Sequence, residues 1–287
     1  MAFLAAPAGW LAMGGHRGRV RLPPADAILA REMLHDRERP RPLIIVHRGF
    51  AHEAPENTLA SVRAALELPV DGIEIDVFLS ADGVPVVMHD PTVDRTTDGH
   101  GPVCTLTLAQ LNELRAHLGW QERSFPPEPV PTLREVLEAT RGRRLLCVEV
   151  KPKGIEQEVL AEIRRADALQ WVWMWTFFRS IMRRFHELEP RIPAAWLCAG
   201  FVGITPQRFM DMAVDLGAAG VSVEIQDLSR EVLELAHACG LAVYSYDKED
   251  PQSWARQLAW GVDAIVTDDP LPALAARDAR LRPSGPA

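Results

Sequence analysis

Eight short apolar runs, beginning near Leu43, Asp71, Leu145, Val172, Ala194, Gly220, Ala242 and Ala264, restrict the folds open to this chain. Such runs read as strands buried on both faces, and helical periodicity separates most of them, over Ile155–Leu169, Arg179–Leu188, Pro206–Gly217, Ser229–Cys239 and Pro251–Trp260. Strands joined through helices pair in parallel. Eight parallel strands are the number that closes a (β/α)8 TIM barrel, and an open doubly wound sheet is the alternative that the same alternation permits. The barrel is preferred because polar residues gather at the ends of separate strands: His47-Arg48, Glu74 with Asp76, and Glu149 with Lys151. That is where barrels place their chemistry.

The 287 residues and 47% apolar content suit one large α/β barrel or two small domains. We assign residues 43–272 to a single barrel domain and residues 1–42, rich in Arg, Pro and Ala, to an N-terminal arm. The arm has a helical pattern only over Ala25–Leu34, and its His16-Arg17-Gly18 has no strand before it and receives no role. Residues Ala273 to Arg282 are expected to form a truncated last helix, followed by a tail, so that 273–287 is a helix remnant and its end.

The second run carries two acids. In Asp71 to Asp90, Ile73, Ile75 and Val77 alternate with Glu74 and Asp76, so at a period of two both carboxylates face away from the apolar side. The span from Val77 to Val84 is too short for a parallel crossover, so the turn Ala81-Asp82-Gly83 makes a hairpin that returns His89-Asp90 toward the acidic pair. The hairpin alone does not separate a metal or acid–base site from a solvated face. Pro91 to Pro131 then interrupts the alternation as a small insertion after the hairpin. Upstream, Pro55-Glu56-Asn57-Thr58 opens a helix to Leu68 with Asn57 or Thr58 as its cap. Downstream, Thr132 and Glu135 stand in capping-box spacing.

If Glu74, Asp76 and Glu149 share one pocket, each like-charged pair about 5 Å apart costs roughly 3 kcal/mol at an effective dielectric of about 20. A divalent cation compensates, and an all-carboxylate set favours Mg²⁺ or Ca²⁺ over zinc. With Arg48 and Lys151 added, the net charge suits a phosphodiester. Histidines at two strand ends would flank its phosphorus, one removing a proton and the other protonating the leaving alkoxide.

In order and spacing, His47-Arg48-Gly49, Pro55-Glu56-Asn57-Thr58, Glu74-Ile75-Asp76-Val77, His89-Asp90, Glu149-Val150-Lys151 and Thr267-Asp268 resemble the glycerophosphodiester phosphodiesterases, from about Leu43 to Pro272. The resemblance implies a TIM-barrel hydrolase that cleaves small-molecule glycerophosphodiesters to sn-glycerol 3-phosphate and an alcohol. It implies His47 and His89 as the acid–base pair, Glu74, Asp76 and Glu149 as ligands of one divalent cation, Mg²⁺ or Ca²⁺, and Arg48 and Lys151 as phosphate contacts. Attack through a cyclic phosphate and direct attack by water both stay open. The chain departs from the family pattern at Thr176-Phe177, where Ser-Phe is usual, and at Tyr244-Ser245-Tyr246-Asp247, where a Trp-Thr-Val-Asn run is usual. Both departures fall where the substrate alcohol would be recognised. Two rivals are a lysophospholipase D with an apolar groove built from Phe177, Phe178 and the insertion, and a catalytically silent barrel that binds phosphodiesters.

The remaining candidates have plainer readings. Glu224 ends a barrel strand and is expected to line the pocket as a substrate contact, and Lys151 has a structural ion pair with Glu149 as its alternative role. Trp171, Trp173 and Trp175 read as packing, and His52, His100, His117, His186 and His237 as surface or satisfied residues. Four widely spaced cysteines without a CxxC pair read as reduced thiols. A net charge of −8 argues against nucleic-acid binding. The apolar stretch Ala2–Met13 is a poor secretory signal and too short to span a bilayer, so no transmembrane segment and a cytoplasmic location are expected.

Overall fold

A computed structural model describes residues 42–116, 126, 128–246 and 251–281. The expected helix over Ala25–Leu34, the His16-Arg17-Gly18 tripeptide, the Ala2–Met13 stretch, His117, Asp247 and the tail from Pro283 lie outside the described residues. Strands β1 (Leu43–Val46), β2 (Gly72–Leu79), β4 (Leu145–Val150), β5 (Val172–Thr176), β6 (Ala194–Leu197), β7 (Gly220–Ser222), β8 (Ala242–Tyr246) and β9 (Ala264–Thr267) are all parallel. Strand β1 pairs with both β2 and β9, which closes the sheet into the expected (β/α)8 barrel and excludes the open sheet. Strand β3 (Pro85–Val87) is the antiparallel arm of the predicted hairpin on β2, with Val77 opposite Val87.

Helices α1 (Leu59–Leu66), α3 (Leu133–Thr140), α4 (Glu156–Arg165), α5 (Arg179–Leu188), α6 (Pro206–Asp215), α7 (Arg230–Ala238), α8 (Pro251–Trp260) and α9 (Pro270–Leu281) follow the barrel strands, while α2 (Leu108–Glu113) belongs to the insertion. Thr58 caps α1 and Thr132 caps α3, each in a reciprocal capping box that satisfies backbone donors left over at a helix start. Helix α4 stops at Arg165, short of Leu169, because Asp167 turns left-handed at φ 53°. Helix α9 begins at Pro270 rather than Ala273 and runs twelve residues, so it is a full closing helix and not a truncated one. Its buried Arg277 reaches Asp71, whose carboxylate also accepts from the Ile44 amide, and these bonds tie the last helix to the first strands.

Strand alternation divides the core in two. Ile44, Ile73, Ile75, Val148 and Met174 face the helices, whereas Leu43, Ile45, Cys147, Trp173, Trp175 and Tyr244 fill the barrel. Inside, Trp175 stacks on Tyr244 at 4.5 Å between ring centroids, and Trp173 meets both rings edge-on. Trp173 and Trp175 are therefore barrel filling, and Trp171 packs half-buried against the helix layer. The insertion adds a small core of its own, in which Val93, Val103 and Leu111 pack on Val86 and Met88 of the hairpin. Among the described residues no helix is long and apolar enough to cross a membrane.

Candidate active site

The residues that fill the barrel stand at every second position, so the next residue of the same parity at each strand's C-terminal end looks into the mouth. By this count Leu43 and Ile45 lead to His47, Cys147 to Glu149 and Lys151, Trp173 and Trp175 to Phe177, Tyr244 to Tyr246, and Val266 to Asp268. A cleft of about 720 Å³, including the open space at its mouth, is lined by His47, Arg48, Glu74, His89, Glu149 and Lys151. Trp175, Phe177, Leu197, Tyr244, Tyr246 and Glu224 also line it, with the Tyr246 ring 4.6 Å from that of His47. All eight residues selected from the sequence are gathered here, Asp76 lying beneath the cleft in contact with Lys151.

The turn after β1 is built for close approach. Arg48 and Gly49 have φ values of 55° and 74°, and a Cβ on Gly49 would overlap Ser61 of α1. This conformation aims the Arg48 amide at Glu74 Oε2, 2.8 Å away, and its guanidinium at Glu56 Oε1, 3.0 Å away. Asn57, also left-handed at φ 56°, grips Asp76 twice: Nδ2 donates to Oδ2 at 2.8 Å, and Oδ1 accepts from the Asp76 amide at 3.2 Å. Thr58, not Asn57, is thus the cap, and Asn57 is released to hold a carboxylate.

Glu74, Asp76 and Glu149 are buried and each offers an oxygen within 4.8 Å of the others. Strand register causes this, since Asp76 sits opposite Glu149 across the β2–β4 ladder. Lys151 Nζ lies 2.9 Å from Asp76 Oδ1 and 2.8 Å from Glu149 Oε1. Burial and the two neighbouring carboxylates push Glu74 well above the usual range. Burial and Asp76 push Glu149 up to about 7. Asp76 is buried too, but Lys151 and Arg48 outweigh that burial and hold it below the ordinary value. Glu74 Oε1 is buried with no hydrogen-bond partner in the protein. An orphaned carboxylate oxygen among three acids fits a hard divalent cation, which all three residues are placed to hold.

Each histidine is held through Nδ1. His47 Nδ1 is 2.6 Å from Asp268 Oδ1, and Tyr246 donates its hydroxyl to the other Asp268 oxygen at 3.1 Å. His89 Nδ1 is 2.6 Å from Asp90 Oδ1. Both aspartates are ionised. Hydrogen bonds from Arg95 and His89 bring Asp90 down to about 2, and His47 and Tyr246 outweigh burial at Asp268. Ionised acceptors place a proton on Nδ1 of each ring, so proton exchange with a ligand falls to Nε2. His47 Nε2 lies 4.0 Å from Glu74 Oε2, at the edge of the acidic cluster. Burial lowers the pKa of His89, against the pull of Asp76.

Sequence reasoning missed the residues that hold these groups. The sequence offers Asn57 only as a helix cap and Tyr246 only as part of a run near the substrate alcohol, and Glu56, Asp90 and Asp268 lie in motifs without a role of their own. Arg95, in the turn-rich start of the insertion, carried no signal at all, yet it bonds both Asp90 and Glu56. Two positions expected to meet the substrate alcohol do not open on the cleft. Ser245 points outward to Gln257 of α8, and Thr176 Oγ1 donates to the Val150 carbonyl. Glu224 lies beyond the end of β7 at Ser222, in a turn where its carbonyl accepts from the Asp227 and Leu228 amides, and it lines the cleft from there.

Residues 47–271 match the model of the glycerophosphoryl diester phosphodiesterase family. The chain belongs to this family. A glycerophosphodiester phosphodiesterase of Caldanaerobacter subterraneus is 33% identical over 235 residues, covering 79% of this chain and 94% of the relative. Among solved structures, the glycerophosphodiester phosphodiesterase of Agrobacterium tumefaciens superposes with a TM-score of 0.73 at 29% identity, over 82% of this chain and 99% of that one. A phosphodiesterase of Oleispira antarctica, solved with the product sn-glycerol-3-phosphate, gives a TM-score of 0.75 at 28% identity, over 84% and 99%. The family's barrel therefore accounts for the mouth at which these side chains converge.

Proposed function

We propose that this chain is a metal-dependent phosphodiesterase that hydrolyses glycerophosphodiesters to sn-glycerol 3-phosphate and an alcohol. The observation that carries the reading is the placing of three buried carboxylates, one with an orphaned oxygen, at a cleft lined by two histidines that are each held through Nδ1 by an aspartate. Family membership and the product held by the Oleispira antarctica relative support the substrate class.

In this mechanism Arg48 and Lys151 bind the phosphate oxygens and fix the diester in the cleft. One histidine, neutral, accepts the proton of the attacking oxygen at Nε2, while the other enters the step as the imidazolium and delivers its Nε2 proton to the leaving alkoxide. Asp268 and Asp90 hold the rings and stabilise each imidazolium as it forms. Glu74, Asp76 and Glu149 would hold one divalent cation, Mg²⁺ or Ca²⁺, whose Lewis acidity stabilises charge on a phosphoryl oxygen. The catalytic domain in this reading begins at residue 43 and extends through α9, and the enzyme acts in the cytoplasm.

The test is release of glycerol 3-phosphate from glycerophosphocholine after EDTA treatment, with Mg²⁺ or Ca²⁺ restored. Metal-restored product is expected. A well-folded, metal-loaded protein that only binds the diester would instead establish the silent barrel.

A further inference from the structure

Every charged side chain that lines the cleft but one is engaged by a neighbour. Arg48 holds Glu56 and gives its amide to Glu74, Glu149 meets Lys151, and the two histidines bond Asp268 and Asp90. The half-buried Glu224 carboxylate alone has no hydrogen bond or ion pair among the described residues. Strand parity sets its direction. On β7 a Cβ at Gly220 would touch the Trp173 ring inside the barrel and Ser222 lines the cleft, so Glu224, two positions further, faces the same way. The Val223 amide donates to the Tyr244 carbonyl at 3.2 Å, which carries the β7–β8 ladder past Ser222 and brings Glu224 level with Tyr246. Burial raises the pKa of the Cys198 thiol, another part of the lining, and Asp227 and Glu224 push it further up, so this part of the mouth carries a negative field. The cleft therefore holds cations for a phosphate in one place, at Arg48 and Lys151, and a spare carboxylate beside the Tyr246 and Phe177 rings in another.

We infer that Glu224, with the Tyr246 and Phe177 rings, selects diesters whose leaving alcohol carries a positive charge, an amino or quaternary ammonium alcohol. The inference rests on the phosphodiesterase reading and names the alcohol that reading leaves open. A diester of this kind is zwitterionic and meets both signs of charge in the cleft. A neutral alcohol leaves the Glu224 carboxylate without a counterion. Aromatic faces attract an ammonium through their quadrupole, and a carboxylate beside them adds a full charge to that attraction.

The experiment compares kcat/KM of the metal-loaded protein for glycerophosphocholine and for its uncharged isostere, in which a quaternary carbon replaces the quaternary nitrogen of choline. Shape and the shared glycerol phosphate cancel in the ratio, as does any loss of folded enzyme in a variant. A ratio of about tenfold or more in favour of the choline diester is expected, and it should shrink as salt screens the charge. Glu224→Gln, which keeps the shape and removes the charge, should bring the ratio to within about twofold of unity, and Glu224→Lys should invert it. A wild-type ratio near unity beside normal turnover of both diesters would overturn the charge selection and leave the phosphodiesterase reading standing. A ratio unchanged in Glu224→Gln would take the choice away from Glu224 and overturn the inference, and both rates falling together there would place the shared glycerol against it instead. No turnover of any diester would remove both readings.

Discussion

Arg95 and Glu56 form a bidentate pair: Nη1 reaches Oε2 and Nη2 reaches Oε1, both at 2.8 Å. The same guanidinium holds Asp90 through Nε at 2.6 Å. Glu56 in turn holds Arg48, and Asp90 holds His89, so one side chain from the insertion steadies the proposed phosphate contact and a proposed catalytic base or acid at once. Planar, forked donors suit this task and an ammonium does not. Arg95→Ala is expected to lower kcat by roughly 10²-fold with a smaller change in KM, since it misplaces groups and removes no contact to substrate. Arg95→Lys should restore only part of it. Steady-state kinetics giving an unchanged kcat for the alanine variant would reduce the pair to a surface ornament.

The Arg95–Asp90 contact has a pH signature. Asp90 titrates at about 2 in the folded protein against about 3.9 for a free side chain, so its favourable contacts are fully present above pH 4 and vanish as pH falls through 2. The stability gap between wild type and Arg95→Ala should therefore shrink between about pH 4 and pH 2. Denaturant titrations across that window measure it, and a gap independent of pH would dissociate Asp90 from Arg95.

Glu149, titrating near 7 through burial and the repulsion of Asp76, must lose its proton before it can bind a cation. Affinity for Mg²⁺ or Ca²⁺ should rise with pH through 7, by up to about tenfold per unit for the Glu149 proton alone, and the raised Glu74 adds to that rise. Glu74→Gln should weaken binding at every pH. Calorimetric titrations that give one affinity from pH 5 to pH 8 would remove Glu149 from the ligand set.

His47→Ala and His89→Ala should each abolish turnover with the fold intact, as read by circular dichroism. Asp268→Asn keeps the shape of the Tyr246–Asp268–His47 chain but withdraws the charge that fixes the proton on Nδ1. A loss of roughly 10²-fold in kcat is expected, with KM little changed. Equal loss through KM alone would make Asp268 a binding residue instead.

Asn57→Ala should destabilise the protein by about 1–3 kcal/mol, because it strips a donor from the buried Asp76 carboxylate. The left-handed backbone at Asn57, which alanine tolerates poorly, adds about 1 kcal/mol more. Chemical denaturation gives the value directly, and a change under about 0.5 kcal/mol would show that Lys151 and Arg48 suffice to hold Asp76.

What the sequence determined by itself is local and periodic. Alternation in Ile73 to Val77 put Glu74 and Asp76 on one face, the short turn made β3 antiparallel, and Thr132 with Glu135 marked a helix start, because each depends on residues a few positions apart. The strand count pointed to the barrel by the same logic; parity at the strand ends brings His47, Glu74, Asp76, Glu149, Lys151 and Glu224 to the mouth, while the left-handed turn after β1 and the hairpin add Arg48 and His89. Tertiary structure decided the partners. His47 meets Asp268 across 221 positions, and it does so only because β1 pairs with β9 when the sheet closes. Arg95 reaches Glu56 from an insertion with no barrel periodicity, and Ser245 turns outward to α8. Periodicity says which way a side chain faces. Closure of the sheet says what it finds there.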